Sequence, residues 1–451
     1  MRLGGPRLGL ALGLAPVLAL AAATASPAQF VQYARSGGVS FPLIPDQEAF
    51  DEAMDGALWR GGRWFADPWI GIRSIGYSEG FTLDQGDGEG QRGDTGVQAS
   101  GGAGLRIYRP IGGRGTWATH VLPEYTWFER GDRSRFNGRF GTGVFANLGG
   151  LLLQATATRQ DELEFFSRQI EDQISQRRDE LSLAAELGLF GALSLHLQGA
   201  VREIESLEDG ESFDFLRQLD REETSITAGF RLRSSDGLMF GFGAGVVQTD
   251  IVPSATLGLG VDRSSDGSLI YGELSRPSDS FDLRANAQLL RLDFDAGPTP
   301  LELDEVTGQL GLSRRLGGRF ALDAYYRRTA GLGLGADLAY FLDSSVGLGA
   351  STPLGSVGAL RAFVETGNND YRNFLADSAE REDDYTAYGV ALNLRHRTGV
   401  GVYLEGRETD YDSNLPGFDR KVTTVRGGLN LGLSLTLRRS LVFGDDGSPW
   451  V

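Results

Sequence analysis

Thr423–Phe443 reads TTVRGGLNLGLSLTLRRSLVF, and the spacing of its leucines decides the fold. Successive side chains of a strand point to opposite faces. Leu429, Leu431, Leu433, Leu435 and Leu437 therefore share one face, while Asn430, Gly432, Ser434, Thr436 and Arg438 share the other. One side is wholly apolar and the other polar. A soluble barrel turns its apolar side chains inward; a membrane barrel turns them outward and lines its lumen with polar ones.

The same alternation recurs back along the chain, separated by turn residues. Phe140, Thr142, Val144, Ala146 and Leu148 oppose Arg139, Gly141, Gly143 and Asn147. Leu181, Leu183, Ala185 and Leu187 oppose Ser182, Ala184 and Glu186, and Leu193, Leu195, Leu197 and Val201 oppose Ser194, His196, Gln198 and Arg202. Similar stretches run over 226–233, 283–288, 321–327, 388–397 and 400–407. The faces carrying Arg231, Arg233, Arg284, Asp323, Arg327, Asn393, Arg395, Arg397, Glu405 and Arg407 read as inward, because such charges are costly against lipid. Leu289-Leu290 breaks the alternation, and 329–357 resists parsing.

Connections come in two sizes. Leu148–Leu151, Phe190–Ala192, Ser234–Gly237 and Arg397–Gly399 are tight and glycine-rich, as hairpin turns should be. Gln160–Arg178, Ser206–Arg221, Thr366–Asp384 and Thr409–Lys421 are long and polar. Short turns at one end and long loops at the other are the asymmetry of a transmembrane barrel. At roughly 21 residues per strand plus connection, residues 67–443 make an all-β, single antiparallel transmembrane β-barrel of about 18 strands, with roughly 16 to 20 as bounds. Trp69, Tyr77, Tyr108, Trp117, Tyr125, Trp127 and Phe128 lie near early strand ends and suit interfacial girdles.

The N-terminus describes an export route. Arg2 and Arg7 precede an apolar core over Leu8–Ala22 and a small-residue site, Ala23-Thr24-Ala25, so residues 1–25 read as a removed signal peptide. That core is short for a spanning helix, which needs about 20 residues. Residues 26–66 do not alternate; Asp46–Met54 suits one short acidic helix, and the segment reads as a periplasmic or lumenal extension able to give only a partial constriction. Residues 444–451 form a tail.

Composition removes several function classes. No cysteine is present, which excludes disulfides, thiolate metal sites and cysteine nucleophiles, and a net charge of −17 argues against nucleic acid as a partner. Only His120, His196 and His396 exist, so a multi-histidine metal site is not expected. The glycine runs Gly241–Gly245 and Gly331–Gly335 lack the spacing of a nucleotide loop and read as small strand positions. Asp84–Gly90 lacks the calcium-loop spacing. Acidic clusters at 161–164, 203–211, 222–223 and 380–384 read as a solvated rim, with divalent-cation binding as the alternative. Glu186 and His196 share the lumenal face of consecutive strands, near Ser182 and Ser194. The ordinary reading is a hydrogen-bonded pair stiffening the wall; a barrel hydrolase would need a full constellation that cannot be assembled here. No catalytic residue, cofactor site or metal site is assigned.

The run Asn430–Leu437, with Asn430, Gly432, Leu435 and Leu437, resembles the C-terminal insertion signal of bacterial outer-membrane β-barrel proteins, with Phe443 in the place of the terminal aromatic. The chain departs from that family by continuing to Val451. A weaker resemblance is to putative porin-type barrels associated with envelope-polysaccharide export. The resemblance implies a bacterial outer-membrane location, contact with lipid and lipopolysaccharide, and recognition by the outer-membrane assembly machinery. It also implies a transport pore or polymer export port, with anionic polysaccharide as the partner of the export type. A structural or surface-interaction barrel without conductance is the alternative, and a barrel hydrolase ranks below both.

Overall fold

The structure is a computed structural model. It describes residues 47–431 except 79–80, 83–90, 93–95, 130–133, 166–172, 208–219, 252–263, 277, 279, 295–300, 317–319, 334–337, 356, 374–379 and 396–399. The signal peptide, His396, Arg397, the calcium-like stretch 84–90 and the assembly-signal residues Gly432, Leu435, Leu437 and Phe443 lie outside the described residues.

Helix α1 (Gln47–Asp55) comes first, then short β1 (Trp59–Gly61), long β2 (Trp64–Ser78), and two-residue β3 (Phe81–Thr82) and β4 (Gln91–Arg92). Seventeen long strands follow: β5 (Gly96–Ile111), β6 (Gly115–Phe128), β7 (Arg135–Asn147), β8 (Leu151–Phe165), β9 (Gln173–Phe190) and β10 (Leu193–Ser206). Next come β11 (Arg221–Arg233), β12 (Met239–Ile251), β13 (Ser265–Arg276), β14 (Phe281–Phe294), β15 (Leu301–Leu316) and β16 (Phe320–Leu332). The last five are β17 (Leu338–Pro353), β18 (Gly358–Asn373), β19 (Glu382–Arg395), β20 (Val400–Ser413) and β21 (Arg420–Leu431).

Each long strand pairs antiparallel with its sequence neighbours, and β2 pairs with both β5 and β21. Strands β2 and β5–β21 thus close into a ring of 18. Strands of 12 to 18 residues extend about 40–60 Å, more than a tilted strand needs to cross the apolar band. Connections at one end have two to five residues, such as Gly191-Ala192, where Gly191 takes φ 56. Those at the other end have at least five.

The faces sort as a membrane requires. Leu183 is 60% exposed and Ile270 62% on the outer face, in company with Leu197, Ile226, Phe242, Val246, Val306 and Leu404. Inward positions on the same strands hold Ser182, Glu186, Ser194, His196, Thr227 and Arg231, all buried. Apolar surface of this extent is unfavourable in water and favourable against acyl chains.

Three expectations change in detail. Much of 160–178, 366–384 and 409–421 is strand rather than loop. Its charges lie in cross-strand register beyond the apolar belt, as with Arg177 and Asp161 at 2.9 Å; Arg159 and Asp179, which flank the first stretch, pair likewise with an Nη2–Oδ2 distance of 2.6 Å. The unparsed 329–357 region holds the end of β16 and all of β17. Tyr108 is not a girdle residue: it is buried and faces the lumen, whereas Tyr125 and Trp127 are exposed outside as expected.

Candidate functional site: the lumen

Lumenal glycines shape this wall. Tyr271 lies across Gly243 and Gly229 on the two strands beside it, so that its hydroxyl meets His196 Nε2. A Cβ at Gly243 would come within 2.4 Å of that hydroxyl and 2.3 Å of the Ala228 carbonyl. Tyr325 likewise lies over Gly347 to donate to Glu365, and Glu273 lies over Gly241 to reach Arg231. Glycine lets a long neighbour lie flat along the sheet instead of projecting into the lumen. Gly241, Gly243 and Gly245 are therefore small strand positions; in the second run Gly331 is one too, covered by Phe341 in the same manner, while Gly333 lies past the end of β16 and 334–335 are outside the described residues.

Of the inward arginines whose side chains are described, Arg231, Arg233, Arg284 and Arg327 each pair with a carboxylate. Arg231, 2% exposed, gives Nη1 to Glu186 Oε2 at 3.1 Å and Nε to Glu273 Oε1 at 2.8 Å. Glu186 also takes Arg233 at 3.0 Å and the Ser194 hydroxyl at 3.0 Å. Arg284 pairs with Asp282, Arg327 with Asp343 at 2.8 Å, and Asp323 with Arg361 at 3.4 Å. Arg407 Nε donates to Thr409, and Glu405 is buried on the same face of β20. Arg395 lies in β19, but its side chain is outside the described set. A lumen of unpaired guanidinium groups is thus not what the chain builds; the sequence signal for this was the interleaved Glu186, Glu273, Asp343 and Asp282. Glu186 and His196 are directly opposed across β9 and β10, yet each turns to another partner; Ser194 donates to Glu186, and Ser182 shares a hydrogen bond with the Thr156 hydroxyl.

Two features narrow the ring. At the short-turn end, α1 sits inside it: Phe50 and Met54 pack on lumen-facing Tyr108, Ala118 and Phe145, with the Phe50 and Phe145 rings 4.7 Å apart. Its acidic residues Asp51, Glu52 and Asp55 are exposed. Phe145 was passed over in the sequence, although an apolar residue on the otherwise polar face of β7 is the mark of a lumenal partner.

At the long-connection end the wall doubles. The β15–β16 ladder stops at Gly308 and Arg328, although both strands continue. Above that point Ala330, Tyr340 and Leu342 share the face of lipid-exposed Tyr326 and Val346, since even-numbered residues of β16 and β17 pair throughout. They are nevertheless covered by inward residues of β12–β15, namely Val247, Leu269, Leu290, Phe294 and Leu303. An outer face packed on an inner face means that the ends of β16 and β17 pass inside β12–β15. Leu290, which broke the alternation, belongs to this overlap. Behind it, Asp343 accepts from Tyr385 at 2.8 Å, and Asp383 binds Arg381 and Arg420. Arg381 stacks on Tyr371 and Arg420 on Tyr411, so the flap is braced from within.

Closed antiparallel ring, apolar outside, polar inside and unequal ends define the class: an outer-membrane porin-type barrel. Among solved structures it is similar to OccK2 (OpdF) of Pseudomonas aeruginosa, 12% identical, with a TM-score of 0.51, covering 82% of this chain and 98% of that one. It is also similar to a BenF-like porin from Pseudomonas fluorescens, 11% identical, with a TM-score of 0.50, covering 82% and 99%. At this identity the likeness is one of fold. No protein-family model matches the chain, and no curated protein matches it.

Proposed function

We propose that this protein is a passive channel of the bacterial outer membrane for small polar solutes. The observation that carries the reading is the closed ring of 18 strands with a polar inner face, a size at which barrels hold an aqueous channel. Short turns then face the periplasm and long connections the outside. The cross-strand ion pairs above the apolar belt, among them Arg159–Asp179 and Lys421–Glu408, meet the lipopolysaccharide headgroups. The described segment ahead of β2 carries α1, a partial constriction at the periplasmic mouth. Because Arg231, Arg233, Arg284, Arg327 and Arg361 are paired with carboxylates, the charge preference they contribute is weak. A paired lumen gives no support to a port built to pass an anionic polymer.

Single-channel recording of purified, refolded protein in planar bilayers tests this. Discrete, ohmic conductance steps are expected. Heat-modifiable, folded protein without any steps would overturn the channel reading and leave the structural or surface-interaction barrel.

A further inference from the structure

The doubled wall is more than the closure of a ring requires. A barrel is complete when β15 and β16 pair along their whole length, and here they part half-way, at Gly308. That glycine is where β15 runs against β14: a Cβ there would stand 2.3 Å from the Asn286 carbonyl oxygen. Beyond it the ends of β14 and β15 meet those of β16 and β17 through side chains. Arg328 Nη2 reaches across the gap to Glu305 Oε2 at 2.7 Å, and Phe294 stacks on Tyr340 at 5.8 Å with an interplanar angle of 11°. The remainder of the contact is the apolar layer around Leu290, Leu303 and Leu342.

We propose that this overlap is the channel's size filter, and that Glu305 and Arg328 are the positioning residues that set its width. The inference rests on the channel reading above. Each residue that makes the overlap displaces the ends of β16 and β17 into the lumen. The bracing of Asp343 and Asp383 makes that intrusion stiff, and the seam at Gly308 makes it separable from the outer wall. Solutes cross on the side of β5–β11 and are limited by the flap edge. The ion pair is about one-third exposed on each side, so in stability it is worth little, at most about 1 kcal/mol. Its role is in register: it fixes where a hinged sheet edge rests against its neighbour, and reversing one charge puts two like charges into the same gap.

The test measures conductance and polymer exclusion in planar bilayers for the wild type, Glu305→Arg, Arg328→Glu and the double swap Glu305→Arg/Arg328→Glu. Each protein is first shown to be heat-modifiable, so that insertion is known. Neutral polyethylene glycols of graded size serve as the exclusion probe. Either single reversal should raise conductance at least 1.5-fold and admit the next larger polymer, and the swap should return both to wild-type values. Two singles allow for one that does not fold. Unchanged conductance and cut-off in a folded single reversal would overturn the filter, as would a change that the swap fails to restore. A silent wild type is a different failure, that of the channel reading itself.

Discussion

Replacing Arg231 with Gln distinguishes a structural lumenal arginine from a conducting one. The guanidinium is 2% exposed and holds two carboxylates, Glu186 and Glu273, which are themselves 7% and 14% exposed. Glu186 keeps Arg233 and Ser194 when Arg231 is gone, but Glu273 loses its described ionic partner. Breaking a buried pair by removing one partner costs about 3–5 kcal/mol because a charge is left uncompensated. One acid remains satisfied, so the lower end applies, about 3 kcal/mol, or roughly a 150-fold change in the folding equilibrium. Urea titration of the refolded protein in vesicles, read by loss of heat-modifiability, measures it. Glu273→Gln in the same background should give back part of the loss, a coupling of about 1–3 kcal/mol. The reversal potential in a salt gradient should change little, because the removed charge was already neutralised. A variant of wild-type stability with a clear shift toward cations would refute this reasoning, since it would show Arg231 facing the permeating solution. Arg233, 45% exposed, is the internal control, and its Gln variant should cost no more than about 1 kcal/mol.

Other expectations follow from the faces and the packing. Leu197→Arg on the lipid face should cost about 2–4 kcal/mol in vesicle unfolding, while Gln198→Arg, one residue on and turned inward, should be tolerated; equal effects would invert the face assignment. Gly347→Ala should destabilise by about 1–3 kcal/mol, because the three atoms nearest its Cβ all belong to the Tyr325 side chain, at 2.1–2.4 Å, and Tyr325→Ala should relieve it. Persistence of the penalty in the double variant would place the clash elsewhere. Phe50→Asp should free α1 from Tyr108 and Phe145 and raise single-channel conductance without loss of insertion, and an unchanged current would remove the helix from the conduction path. Leu435→Asp/Leu437→Asp should depress outer-membrane insertion, as expected of a closing-strand signal, whereas normal heat-modifiable yield would count against it.

Period-two alternation was enough to reveal the barrel, because an inserted strand must present lipid on one side and water on the other. Ring size followed from dividing the chain by strand plus turn. The limits of strands did not follow. Cross-strand partners such as Arg177 and Asp161 satisfy charge within an extended ladder, yet in a linear reading their polarity looks like a loop. The lumen was half legible. Parity placed Arg231 and Arg327 inward, but whether each is free depends on carboxylates on other strands: Glu273, two strands and 42 residues away, and Asp343, on the next strand and 16 residues away.

The positions that defeated the alternation are the ones where the barrel stops being a simple tube. Phe145 is apolar on a polar face because α1 lies against it; Leu290 is apolar on a polar face because β17 lies against it. Tyr340 and Leu342 are aligned with lipid-facing residues and yet are buried, because the strands that carry them have moved inside. In a lumen full of water each of these side chains would be exposed at a cost of about 1.5–3 kcal/mol, so a second layer is the arrangement that lets them remain. Glycine acts in the opposite sense: at Gly241, Gly243 and Gly347 it clears the inner surface so that Glu273, Tyr271 and Tyr325 lie flat. Apolar intrusions fill the lumen at both ends and glycines open it between, so resistance to flow belongs at the α1 mouth and the β15–β16 seam rather than at the paired arginines of the wall.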